Sequence, residues 1–102
     1  SNSPNYKLHL MDLAICYYTI KDFDNCDDII SSILRNDKNN EDALFLRFKI
    51  YKYQDSYFMA YGLIENLILN NDHNLSYKYE KAKLHFKWRR YQDAISILDD
   101  II

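Results

Sequence analysis

Apolar residues return along this chain at the spacing of helix turns. Leu10, Leu13, Ala14 and Tyr17 stand at i, i+3, i+4 and i+7, and the polar pair Lys21 and Asp22 follows. Phe23, Cys26, Ile29, Ile30 and Ile33 then resume the rhythm. Such a stripe covers one face of an α-helix and leaves the opposite face to polar side chains. The pattern predicts a first helix from Tyr6 to about Ile20 and a second from Phe23, with Asp22 as its N-cap. Polar residues 36–40 close this pair. A third helix, capped by Asn40, starts at Glu41 and runs to about Gln54, with Glu41 and Asp42 well placed against the helix dipole. Ser56 is the cap expected for a fourth, which ends in polar residues 70–74. A fifth covers about residues 75–88, and a sixth runs from Tyr91 to the end. Six helices with no strand pattern make the chain all-α.

Shifted by 34 positions, residues 7–40, 41–74 and 75–102 align without a gap. Phe23, Tyr57 and Tyr91 then coincide, as do Cys26, Ala60 and Ala94, and Ile33, Leu67 and Ile101. A fixed period of this length marks stacked helical hairpins, none of which can bury its apolar face alone. The expected architecture is a solenoid of three helix-turn-helix units in one domain, residues 1–102. One glycine and one proline leave too few turn-formers for a β-rich or loop-rich fold.

Composition narrows the function. Hydrophobic residues make up 48% and charged residues 27%, too apolar for a disordered chain. A net charge of −2 gives no general attraction to nucleic acid or to an anionic membrane. No apolar run reaches the roughly 18 residues of a membrane span, and no signal peptide is visible. The start, Ser1, Asn2, Ser3, lacks an initiator methionine, which suggests a piece of a larger protein. The chain stops inside its last helix, at Leu98, Ile101 and Ile102; a solenoid end without a polar-faced cap leaves apolar surface open. Removal of a capping helix is the expected cause, and mating with another chain is the alternative. Cys16 and Cys26 match no metal-ligand spacing and are expected as two reduced, partly buried thiols, consistent with a cytoplasmic setting.

With this period and these residues, the chain resembles the tetratricopeptide repeat proteins from Lys7 to its end. The family pattern asks for an aromatic at the eleventh place of each repeat, filled by Tyr17 and Tyr51 but by His85 in the third. Small residues are wanted at the eighth and twentieth places, where paired helices cross: Ala14 with Cys26, Phe48 with Ala60, Ala82 with Ala94. Phe48 departs from the pattern, so the middle repeat is expected to splay there, with Gly62 as the relief; overpacking a tight crossing costs about 1–3 kcal/mol. The proline usual near a repeat's end is replaced by Lys38 and Asp72, leaving those turns to Asn and Asp chemistry.

The resemblance implies a right-handed solenoid whose first helices line a concave groove that binds a peptide or helix of a partner protein. By register its walls are Leu8, Met11, Asp12, Ile15, Tyr18 and Thr19; then Asp42, Phe45, Leu46, Lys49, Lys52 and Tyr53; then Ser76, Tyr79, Glu80, Lys83, Phe86 and Lys87. Their spacing puts each set on one helical face. Rings and aliphatic side chains alternate there with lysines at Lys49, Lys52, Lys83 and Lys87. Single exposed Tyr and Lys residues are also ordinary on a solvated helix.

Residues 8–17 and 37–47 resemble the immunophilin and co-chaperone branch, which grips chaperone tail carboxylates with Lys, Asn and Arg. Here Asp12 stands at that branch's Asn place, Asp42 and Leu46 at its Lys and Arg places, and Met11 and Ile15 at the earliest pair. A shift by one repeat brings Leu46, Ser76 and Glu80 instead. Acids there repel a carboxylate, so acidic chaperone tails are not the expected ligand.

Other chemistry finds little footing. His9, His73 and His85 are scattered, and none has a cysteine or carboxylate at a spacing that builds a nucleophile-base pair, which points away from catalysis. His85 is expected in the core and His73 in solvent. Asp22, Asp24, Asp27 and Asp28 lack the glycine and terminal glutamate of a calcium loop and read as a charged helix start. Lys87, Trp88, Arg89 and Arg90 form too small a basic cluster for nucleic acid, and Trp88 is expected to pack on a neighbouring helix. The expected function is a protein-interaction scaffold without metal or cofactor. The alternatives are a structural segment that self-associates through its ends or convex face, and the repeat region of an immunophilin-like co-chaperone.

Overall fold

The computed structural model describes residues 6–102, with side chains from His9 onward. Six helices follow one another: α1 (Tyr6–Thr19), α2 (Phe23–Asn36), α3 (Glu41–Tyr53), α4 (Tyr57–Asn70), α5 (Leu75–Lys87) and α6 (Tyr91–Ile101). No strand occurs among the described residues. The chain divides into two compact units, the first ending at Ile50 and the second beginning at Tyr51, so the division falls inside α3.

Three turns repeat one another bond for bond. Lys21, Asp55 and Arg89 adopt left-handed backbone angles, with φ of 66°, 60° and 63°. The following N–H donates back to the carbonyl of Tyr17, Tyr51 or His85 at 2.9, 2.9 and 2.8 Å. The left-handed residue itself donates to Tyr18, Lys52 or Phe86 at 3.0, 3.2 and 3.1 Å. This paired closure satisfies carbonyls left over at a helix end. None of the three residues is glycine, although the left-handed region costs other residues about 1 kcal/mol.

The two joins between hairpins also match. Asn40 and Asn74 donate from their backbone to the carbonyls of Asp37 and Asn71, at 3.0 and 3.2 Å. Their side-chain oxygens cap the next helix, accepting from Ala43 N–H at 2.9 Å and Tyr77 N–H at 3.3 Å. Asparagine and aspartate thus hold turns where no proline stands. Asp22 caps α2 through Asn25 N–H at 3.3 Å. Ser56 occupies the N-cap of α4 but its hydroxyl makes no capping bond.

In the first unit Ala14, Cys26, Ile30, Ile33, Ala43, Leu46 and Ile50 form the core. Cys26 Sγ donates to the Ala14 carbonyl at 3.2 Å. Both residues are fully buried, so small side chains do mark a close crossing. Burial is the main cause that raises the Cys26 thiol pKa above its usual value. Two expectations need correction here. Leu13 is 41% exposed, because the buried stripe of α1 runs through Leu10, Ala14 and Tyr17. Cys16 is a free, exposed thiol rather than a partly buried one. Phe48 is wholly buried and stacks on Phe45, with ring centres 5.7 Å apart.

The second unit is built on Ala60, Ile64, Leu67, Tyr77, Ala82, Leu84, His85 and Ala94. Gly62 relieves no crowding, since a Cβ there would meet nothing within 4 Å.

Candidate functional site

An open cleft of about 410 Å³ lies in the first unit between α1 and α3. Met11, Asp12 and Ile15 line it from α1, and Asp42, Phe45, Leu46 and Lys49 from α3. Helical spacing explains the set: i, i+1, i+4 on one wall, and i, i+3, i+4, i+7 on the other. Leu46 is nearly buried and forms floor, whereas Ile15 is 46% exposed and reaches the mouth. Lys49 arches over the rim: its Nζ is 5.2 Å from the Tyr18 ring centre and 5.5 Å from that of Phe45. Tyr18 in turn packs on Phe23, with centres 5.8 Å apart. Asp12 and Asp42 are exposed, and neither forms an ion pair with the described residues. Thr19 lies apart from the cleft and turns its hydroxyl to the Ile15 carbonyl, 2.8 Å away. The side chain of Leu8 lies outside the described residues.

The corresponding face of the second unit is arranged differently. Glu80 takes both Lys52, at 3.7 Å, and Lys83. Burial lowers the Lys52 pKa, opposed by Glu80, while the hydrogen bond that Lys83 donates to Glu80 raises that of Lys83. Lys87 Nζ reaches Asp55 and the Lys52 carbonyl, both at 3.0 Å. The hydrogen bond from Lys87 is the first cause that holds the Asp55 carboxyl below its ordinary range. Lys83 also lies 4.8 Å from the Tyr79 ring centre. Tyr53, Tyr79 and Phe86 stay at least half exposed, and Ser76 is exposed. Phe86 meets Tyr91 edge-on at 5.5 Å.

One cluster gathers around Trp88, which packs on the neighbouring helix α4 as expected, with His85 buried beside it; their mutual stacking is the part not foreseen. Trp88 stacks on Tyr57 at 5.8 Å and on His85 at 6.2 Å, and Tyr61 meets His85 edge-on at 5.6 Å. The Arg90 guanidinium covers the Trp88 ring at 3.7 Å. The i, i+3 spacing of His85 and Trp88 was a signal available beforehand. His85 is buried, its Nδ1 has no hydrogen-bond partner, and burial is the main cause lowering its pKa. A second cleft of about 300 Å³ adjoins it, lined by Tyr61, Lys81, Arg90, Asp93, Ser96 and Ile97.

His73 is 97% exposed and lies 3.4 Å from Asp72. Asp27 pairs with Arg47 at 2.9 Å. Among the described residues no group of three His, Cys, Asp or Glu side chains is placed to hold a metal ion, and no helix is long and apolar enough to cross a membrane. No protein-family model matches the chain, and no curated protein shows significant similarity to it.

Proposed function

We propose that this chain is a tetratricopeptide-type interaction module, and that the α1–α3 cleft receives a side chain or short segment of a partner protein. The observation that carries this is the cleft itself: an open hollow with Met11, Ile15, Phe45 and Leu46 as apolar walls. A hollow of this size suits a few side chains, and seating one aliphatic group there is worth about 1.5–3 kcal/mol. The matching turns at Lys21, Asp55 and Arg89 support the repeat reading. Asp12 and Asp42, which form no ion pair with the described residues, argue against the carboxylate grip of co-chaperones.

Self-association is the second reading, favoured by Ile95, 49% exposed on α6. One experiment separates the two. Peptides selected from a displayed library against the chain should lose binding to Ile15→Ser and keep it with Ile95→Ser. A concentration-dependent dimer that Ile95→Ser dissolves, with no selected peptide sensitive to Ile15→Ser, would establish assembly instead.

A further inference from the structure

We infer that the α1–α3 cleft selects a basic and apolar peptide segment, in which a Lys or Arg stands beside aliphatic side chains. The inference rests on the docking role proposed above and names the chemistry of the partner. Its apolar part follows from Met11, Ile15 and Phe45 on the walls. Its charged part follows from Asp12 and Asp42, two carboxylates against one lysine, which leaves the cleft at −1.

That lysine does not neutralise them. Lys49 Nζ lies over the Tyr18 and Phe45 rings and forms no ion pair with either aspartate. Elsewhere acids beside cations are matched: Asp27 by Arg47, Glu65 by Lys81, Glu80 by Lys52 and Lys83, Asp55 by Lys87. Asp42 has a local explanation, because it sits in the first turn of α3 and favours the helix dipole. Asp12 has none, since it stands in the middle of α1. A guanidinium or ammonium arriving between them gains charge-assisted hydrogen bonds, while its aliphatic neighbours fill the apolar walls. Exposed carboxylates make this preference sensitive to salt.

The test uses three fluorescent peptides with one leucine pattern and Arg, Gln or Glu at the same intervening positions, titrated by anisotropy. The Arg peptide should bind about tenfold more tightly than the Gln peptide in dilute buffer, a difference of about 1.4 kcal/mol, and the Glu peptide should bind weakest. High salt should narrow the gap. Asp12→Asn with Asp42→Asn should bring the Arg peptide down to the affinity of the Gln peptide for the same variant, removing the preference. Asp12→Asn alone, which leaves the start of α3 intact, should remove part of it. Asp24→Asn with Asp28→Asn alters net charge equally outside the cleft and should change nothing. Equal binding of Arg and Gln peptides that Ile15→Ser abolishes would overturn the charge selection and leave the docking role standing. Failure of all three peptides to bind would overturn both.

Discussion

Equivalent places in the repeat carry opposite electrostatics in the two units. In the first, the acids at the cleft form no ion pair with the described residues and the one lysine rests on aromatic faces. In the second, Glu80 holds two lysines and Lys87 is fastened to the α3–α4 turn. Backbone geometry recurs almost unchanged between them, as the three left-handed turns show. The repeat therefore dictates where side chains project, and the neighbours each one meets decide whether its charge is left over for a partner.

The most severe way to probe this division is to empty each core. Ile30 and Ile64 are fully buried, so Ile30→Ala and Ile64→Ala should each cost about 2–5 kcal/mol. Denaturant unfolding followed by thiol accessibility at Cys26 and fluorescence at Trp88 should show whether each loss stays in its own unit.

Next comes His85, which stands where the two preceding 34-residue segments have Tyr17 and Tyr51. Its folded pKa lies below the ordinary 6.5 because burial disfavours the charged form. The unfolded chain therefore binds the proton more readily. Stability is complete above about pH 6.5 and is lost as the pH falls below that toward the folded value. Lys81, Arg90, Asp93 and Glu65 set the surrounding field. His85→Phe should flatten this acid limb and, by removing an unsatisfied buried nitrogen, add about 1 kcal/mol at neutral pH. Thermal melts across the acid range check both.

Smaller effects belong to the turns. Arg89→Gly should stabilise by about 0.5–1 kcal/mol, as the left-handed cost exceeds the added freedom of the unfolded chain. Asp55→Gly should gain less, because it gives up Lys87. Glu80→Gln keeps an oxygen acceptor beside Lys52 and Lys83 and removes only the charge of these partly buried pairs, at about 1 kcal/mol. Its signature is chemical: the Lys83 amine should titrate earlier by nuclear magnetic resonance, because the carboxylate that raises its pKa is gone.

The sequence made the helices legible because their signals are local. Caps such as Asp22 and Asn40 and the apolar stripe of α2 act within a few residues. Helical spacing put Met11, Asp12 and Ile15 on one face of α1 and Asp42, Phe45, Leu46 and Lys49 on one face of α3, and the cleft lies between those faces. What stayed hidden depends on contacts between distant segments. Nothing near Glu80 announces that Lys52 shares it with Lys83, or that Lys87 reaches Asp55 and Lys49 rests on the rings of Tyr18 and Phe45. Leu13 looked like core because spacing fixes a face without fixing how wide its buried part is. Gly62 was given a packing role that needs a neighbour, and none stands there.

The two cysteines give the first unit a built-in tamper seal. An alkylating reagent meets Cys16 at once, since it is exposed. Cys26 is shielded, hydrogen-bonded to Ala14 and shifted away from its reactive thiolate. The lag between first and second modification thus clocks how often the hairpin of α1 and α2 springs apart, with no foreign probe attached.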